Sequence, residues 1–130
     1  MRKVLAFASA AILLVLAACG GGLNARWNGT GERAEARFFS FALNFTNLDK
    51  PYADFQYKNG EVTRLAVCAL TQKEGHVEFK MDPDAKAETC DALKSPLIFV
   101  GDFGLDVLTG QALDGTGRRA GVFRAFRVGG

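Results

Sequence analysis

The sequence predicts a mainly β fold, a small antiparallel barrel or sandwich, with one short helix around Pro83–Leu93. Two observations predict the sheet. Several short runs alternate apolar and polar residues, and glycine-containing turns separate these runs at regular intervals. A third observation, a proline preceded by an aspartate, predicts the start of the helix. Many short strands joined by short turns are typical of closed or sandwiched antiparallel sheets.

A β-hairpin is the clearest single element. Residues 55–58 alternate in polarity, Asn59-Gly60 follows, and a second alternating run extends to Val67. Asn-Gly tolerates the two positive φ angles of a type I′ turn, the tight connection that matches the twist of paired strands. This register places Lys58 opposite Glu61 as a favourable cross-strand pair.

Further strands are predicted on both sides of this hairpin. They cover residues 39–45, 76–81, 97–100, 105–108 and 120–128. In the first two, phenylalanine and other apolar residues occupy every second position, so one face of each strand enters the core. The start of the first strand is ambiguous, because residues 32–37 would also suit a helix.

The predicted helix begins with Asp82 as N-cap and Pro83 in the first helical position. It runs towards Leu93 and carries Cys90. A helix placed there would hold Cys90 near the strand that contains Cys68.

Two segments near the ends of the chain resemble each other. Residues 28–34 and 114–120 are identical at five of seven positions. We interpret them as two similar glycine turns that enter strands; the alternative is a closed or nearly closed sheet with related first and last hairpins. Both also match Gly-x-Gly-x-x-Ala, a dinucleotide-binding pattern, but that chemistry requires a βαβ unit, which the surrounding sequence does not predict.

The first residues form an export signal. Arg2 and Lys3 precede an apolar stretch from Val4 to Ala18, which is too short for a membrane-spanning helix of about 20 residues. Leu16-Ala17-Ala18-Cys19 resembles the lipobox of bacterial lipoproteins. The resemblance implies cleavage between Ala18 and Cys19 and attachment of diacylglycerol to the Cys19 thiol, with further acylation of the new amino terminus.

This resemblance divides the chain into three parts: a signal peptide of residues 1–18, a lipidated cysteine with a short tether over residues 19–26, and one β-rich domain over residues 27–130. In Gram-negative lipoproteins, aspartate directly after the cysteine favours retention in the inner membrane. Gly20 stands at that position here, so the resemblance implies anchoring in the outer membrane.

Charge and length limit the classes of function. Removal of residues 1–18 leaves 112 residues, enough for one domain. Arg2 and Lys3 leave with the signal, so 14 basic residues face 14 acidic ones in the mature protein. A neutral domain is not typical of nucleic-acid binding, and we therefore expect no nucleic-acid partner.

Two cysteines remain once Cys19 is lipidated. Cys68 and Cys90 form an even pair in an oxidising compartment, which predicts a disulfide. A metal or redox site is the less favoured alternative, because the chain has no Cys-x-x-Cys motif and His76 is its only histidine.

No catalytic constellation is apparent. His76 stands beside a glycine and is interpreted as a turn residue, and Asp82 and Asp84 are explained by helix capping. Asp102-Phe103-Gly104 matches a kinase triplet without its partner motifs and is interpreted as a turn between strands. We expect no enzyme activity, no metal and no cofactor.

The C-terminal run is basic and aromatic. Arg118, Arg119, Arg124 and Arg127 are candidates for an interaction surface. The alternative is a final strand whose phenylalanines enter the core while its arginines extend outwards. The run also resembles the last strand of surface lipoprotein barrels of the transferrin-binding-protein type.

The function predicted from these features is a lipid-anchored, non-catalytic binding module that contacts an envelope protein or another envelope component. A role as an inhibitor is suggested by analogy with the small β-barrel lysozyme-inhibitor lipoproteins, whose size and disulfide are similar to those predicted here. Two alternatives are an accessory structural subunit of an outer-membrane assembly and a carrier of a small apolar ligand. For the carrier, Trp27 would suit the first strand of a lipocalin-like barrel.

Overall fold

The structure is a computed structural model that describes residues 22–33 and 37–129. The predicted signal peptide and the predicted lipidation site, Cys19, lie outside the described residues. The strands are β1 (Arg26–Arg33), β2 (Arg37–Asn44), β3 (Tyr52–Gln56), β4 (Val62–Ala66), β5 (Cys68–Lys73), β6 (His76–Met81), β7 (Leu97–Phe103), β8 (Val107–Leu113) and β9 (Arg119–Val128). The predicted mainly β fold class is confirmed.

All nine strands belong to one antiparallel sheet in the order β4-β3-β2-β1-β9-β8-β7-β6-β5. The two edge strands, β4 and β5, are consecutive in the chain and only Val67 lies between them. Because neighbouring Cα atoms are about 3.8 Å apart, Ala66 and Cys68 lie within about 7.6 Å of each other. The sheet must therefore curl into a half-barrel until its two edges meet at Val67.

Two loops cover the place where the edges meet. The backbone N–H of Ala66 donates to the carbonyl of Ala87 in the β6–β7 loop at 3.0 Å, and the N–H of Val67 donates to the carbonyl of Pro51 in the β2–β3 loop at 3.3 Å. Edge strands otherwise present unpaired backbone groups that invite aggregation. Residues 82–96, here called the seam loop, thus supply backbone partners at the junction of β4 and β5.

A continuous series of aromatic rings fills the concave side of the sheet. Successive ring centroids lie 5.0 to 6.1 Å apart in the order Phe45, Phe79, Phe99, Phe123, Phe41, Phe39, Phe55 and Tyr57. The phenylalanines of this series are all less than a tenth exposed. Offset and edge-to-face ring pairs stabilise beyond their buried area, so this interior series is the main packing feature of the fold.

Glycines in β1 make room for these rings. A Cβ atom at Gly29 would lie 2.8 Å from the Phe41 ring, and one at Gly31 would overlap the Phe39 ring. Residues 28–31 are therefore strand interior, and the prediction of a turn there is wrong. The matching Asp114–Gly117 segment is a turn, in which Gly117 has a φ of +86°. Glycine in a strand marks a close approach of another group, here an aromatic ring.

The hairpin of β3 and β4 is present, but its register differs from the prediction. Tyr57 pairs with Glu61, since the Tyr57 N–H donates to the Glu61 carbonyl at 2.8 Å, which leaves a three-residue loop. The predicted Lys58–Glu61 pairing is wrong. A one-residue shift exchanges the faces of a strand. The observed register directs Leu65 into the core, whereas the predicted one would have directed Arg64 inwards.

The predicted short helix around Pro83–Leu93 is reduced to a turn and a 3₁₀ turn at Cys90–Ala92. Lys86 has a φ of +51°, which no α-helix accommodates. Pro83 and Ala87 are the two buried apolar side chains in the range of the predicted helix. A helix of this length needs a packed apolar face to be stable, and this segment offers almost none.

Candidate interaction surface

The four candidate arginines do not form one cluster. Arg118 lies in the β8–β9 turn, Arg119 begins β9, Arg124 lies midway along it, and Arg127 is close to its end. Arg119 and Arg127 are eight residues apart on one strand, or about 26 Å. The strand end near Arg127 is called the tether end here, because β1 also begins there; the opposite end, with the β8–β9 turn, is called the far end.

The side chain of Arg127 points to the concave side and lies across the tether end of the sheet. Its guanidinium lies 4.6 Å from the centroid of the Trp27 ring. Its Nε donates to the carbonyl of Leu105 and its Nη2 to the carbonyl of Gly22. These contacts join β9, the β7–β8 turn and the start of the described chain, so the role of Arg127 is to hold these three segments together.

Arg124 lies on the convex side of β9, together with Val122, Phe126 and Val128. Val122 is 41% exposed, Phe126 52% and Val128 44%. The interpretation that the phenylalanines of this strand enter the core holds for Phe123 only. Residues three apart on a strand face opposite sides, so the spacing of Phe123 and Phe126 already requires one of them to face outwards.

A shallow groove of about 420 Å³ crosses the convex face at β1, β9 and β8. We call it the β9 groove. Its polar lining comprises Thr30, Glu32, Thr109 and Arg124, and Val122 adds an apolar side chain. Arg124 is directly opposite Thr30 on one neighbouring strand and Thr109 on the other. One cation, one carboxylate and two hydroxyls can bind a polar or anionic group through hydrogen bonds.

His76 and Asp102 form a second polar site on the exposed surface. The His76 Nδ1 atom lies 3.1 Å from Oδ1 of Asp102, across β6 and β7. Their side chains are 57% and 84% exposed. Within the described residues, no three His, Cys, Asp or Glu side chains are arranged to hold a metal ion.

Cys68 and Cys90 lie at disulfide distance, with Cα atoms 5.8 Å apart, as predicted. The bond joins the first residue of β5 to the seam loop. Their separation of 22 residues closes a loop for which a disulfide stabilises by about 3 kcal/mol. The disulfide therefore holds the seam loop over the junction of the sheet edges.

Asp82 organises both ends of the seam loop. Its carboxylate is 1% exposed and accepts backbone N–H bonds from Ala85 at 3.1 Å, Lys94 at 2.8 Å and Ser95 at 2.9 Å. Burial raises the pKa of Asp82, but these three donors outweigh burial and hold its pKa below the ordinary value. The bond from Ala85 is the capping contact that the sequence predicted, although no α-helix follows it.

Tyr57 links the aromatic series to the same loop. Its hydroxyl donates to the carbonyl of Pro83 at 2.7 Å. Burial, with smaller contributions from Glu61 and Asp84, raises the pKa of Tyr57 to about 12. The phenol therefore stays neutral and remains a hydrogen-bond donor at physiological pH.

Part of the predicted tether belongs to the folded domain. Leu23 is fully buried and Ala25 is 9% exposed. The Nε1–H of Trp27 donates to the Leu23 carbonyl at 3.1 Å. Leu23 and Ala25, both within the predicted tether, thus belong to the core, and Gly22 is the first residue that the structure describes.

One surface feature was missed from the sequence. Leu105, Phe126 and Val128 are exposed together at the tether end, and we call them the tether-end patch. Phe126 is opposite Val107 in the register of β8 and β9, and Leu105 precedes Val107 by two residues. The strict alternation of residues 120–128 could have revealed the outward direction of Phe126, but not its proximity to Leu105.

Residues 22–33 and 37–129 contain no helix with the length and hydrophobicity needed to cross a bilayer. Comparison with known protein families, with curated proteins and with solved structures finds no match to this chain.

Proposed function

We propose that this protein is a lipid-anchored, non-catalytic interaction module of the cell envelope, and that it binds an envelope protein or another envelope component through the convex face of β9. The observation that supports this proposal is the distribution of side chains about the sheet. The concave side is filled by aromatic rings, while Val122 and Arg124, which line the β9 groove, are exposed on the convex side. Recognition on such a fold takes place on its outer surface.

The anchoring part of the proposal rests on the lipobox. Cys19 receives the lipid after cleavage behind Ala18, and because Gly20 stands where an aspartate would favour the inner membrane, the proposed location is the outer membrane. Several acyl chains are needed for stable anchoring, because one chain alone gives marginal membrane binding.

The carrier alternative is less well supported than a surface interaction. A carrier of a small apolar ligand needs an apolar pocket of several hundred cubic ångströms. The aromatic series occupies the concave side where such a pocket would lie. The β9 groove is open to solvent, and Glu32, Arg124 and two threonines on its lining suit a partner surface that carries polar groups.

Site-specific photo-crosslinking in the native envelope tests this proposal. A photo-reactive residue replaces Arg124 in the β9 groove, and a matched control replaces Lys80, which lies on the convex side of β6. We expect one discrete crosslinked product of defined mass from position 124 and none from position 80. Equal crosslinking from both positions, or none from either, would refute binding through β9.

The same samples address the remaining alternatives. A partner present in constant stoichiometry with an assembled outer-membrane complex identifies the protein as an accessory subunit. A bound small molecule without any protein partner supports a carrier and contradicts the interaction module.

A further inference from the structure

The tether-end patch gathers three of the five large apolar side chains that are exposed in the described chain. Leu105 is 61% exposed, Phe126 52% and Val128 44%. The other two, Val62 and Val122, lie elsewhere on the sheet. Contiguous exposed apolar groups usually mark a surface that another phase or molecule covers.

The first described residues lie beside this patch. Gly22 accepts a hydrogen bond from Arg127, whose backbone N–H in turn donates to Asp106 at 2.8 Å, next to Leu105. Leu23 is fully buried directly after Gly22. Gly22, the first described residue, is therefore held in a fixed position next to the patch.

Only Gly20 and Gly21 separate Gly22 from Cys19. Three residue steps span at most about 11 Å when fully extended. The headgroup region of each leaflet is about 5–8 Å thick. A diacylglycerol group on Cys19 would therefore hold the tether end at the height of the lipid headgroups.

We infer that the tether-end patch contacts the same membrane that holds the acyl chains of Cys19, with Leu105, Phe126 and Val128 inserted among the lipid headgroups. This inference rests on the proposed lipidation of Cys19. It commits the domain to one orientation, in which the far end and its β8–β9 turn point away from the membrane. The β9 groove is then held above the headgroup layer, where it faces along the membrane surface.

The charges around the tether end indicate what kind of lipid contact this is. Among the strand ends and turns that the register places at this end, the basic residues are Arg26, Lys73 and Arg127, and the acidic residues are Glu74, Asp102 and Asp106. Equal numbers of the two signs give no net attraction to anionic lipid. The contact therefore depends on apolar insertion and is insensitive to salt and to headgroup charge.

Depth-dependent fluorescence quenching tests the inference on the full lipidated protein. A polarity-sensitive fluorophore is attached to Leu105→Cys in the patch or, as control, to Gly115→Cys in the exposed β8–β9 turn. The new thiol is the reactive one, because Cys19 carries lipid and Cys68 is bonded to Cys90. The proteins are reconstituted in phosphatidylcholine–phosphatidylethanolamine vesicles with spin-labelled lipid as quencher.

We expect blue-shifted emission at position 105 and quenching at least about twofold stronger than at position 115, unchanged between ~0.05 and ~0.5 M salt. Equal, weak quenching at both positions in protein that floats with the vesicles overturns the contact but leaves the lipid anchor intact. Blue-shifted emission at position 105 without lipid quenching means that protein, such as a second copy of this chain, covers the patch. That result also overturns the membrane contact. Protein that does not float with vesicles refutes the anchor, and the inference fails with it.

Discussion

Asp82 is the residue whose removal should destabilise the seam loop most. It is the one buried acidic side chain in the described part of the protein, and it accepts three backbone hydrogen bonds that join residues 82–85 to residues 94–95. Asp82→Ala removes all three acceptor contacts and leaves three donors without a protein partner. A donor that loses its partner costs about 1–3 kcal/mol, depending on its access to water.

The lower limit of this cost applies to each donor here, because Lys94 and Ser95 are exposed residues whose N–H groups can reach water. Three donors at about 1 kcal/mol each give a loss of about 3 kcal/mol in the free energy of unfolding. For a domain of this size, the loss corresponds to a decrease of about 12 °C in Tm. The effect is local in origin, but the seam loop also pairs with Ala66, so the whole sheet loses stability.

Urea and thermal unfolding of the oxidised domain, followed by circular dichroism, measure this loss. Asp91→Ala is the matched control, because Asp91 is an exposed acid of the same loop. We expect the control to change the free energy of unfolding by less than about 0.5 kcal/mol. A loss for Asp82→Ala that equals the loss for the control would refute the structural role assigned to the buried carboxylate.

The pH dependence provides an independent test of the same residue. The folded-state pKa of Asp82 lies below its ordinary value, while the unfolded-state pKa is about 3.9. The unfolded state therefore binds a proton first as pH falls, and the stabilisation is complete above about pH 5 and declines progressively as the pH falls from about 4 through the lower folded-state pKa. The stability difference between wild type and Asp82→Ala should be constant from about pH 5 to 7 and shrink on further acidification. A difference that grows in acid would contradict the assignment.

Three further predictions concern packing, the disulfide and the anchor. Gly31→Ala directs a methyl group into an interior ring and should cost about 2 kcal/mol in thermal unfolding, whereas Gly115→Ala, with open space around it, should be nearly neutral. Replacement of Cys68 and Cys90 together by serine should cost about 3 kcal/mol in urea unfolding, and thiol labelling of the unreduced wild type should find both cysteines blocked. Cys19→Ala should move the protein from the membrane fraction to the soluble fraction; unchanged fractionation would refute lipidation.

Local patterns were enough to predict most strand faces. The alternation of residues 39–45 and 76–81 predicted the buried faces of β2 and β6 correctly, because the two-residue period of a strand is a local property. The disulfide was also predictable, since two cysteines remain once Cys19 is assigned to the lipid, and the predicted export implies an oxidising compartment. The predicted strand at residues 105–108 was partly wrong, because β8 begins at Val107 and Leu105 lies in the preceding turn.

Other features depended on groups that are distant in sequence. The local sequence predicts that Gly29 and Gly31 lie in a turn. The tertiary structure shows instead that they lie in a strand, against the rings of Phe41 and Phe39. Asp82 was predicted to cap a helix, but its strongest partners, the amides of Lys94 and Ser95, lie beyond the end of the expected helix. Propensity describes only the first few neighbours of a residue and could not anticipate either contact.

The amino-acid sequence alone therefore predicts the export signal and the lipidation of Cys19, and it contains the alternation that makes the protein a β-sheet. The curling of the sheet until β4 and β5 meet, the register of the β3–β4 hairpin, and the gathering of Leu105 with Phe126 near Gly22 came only from the tertiary structure. These features arise from pairings between residues far apart in the chain. They depend on which faces can be buried together, and a local pattern does not contain that information.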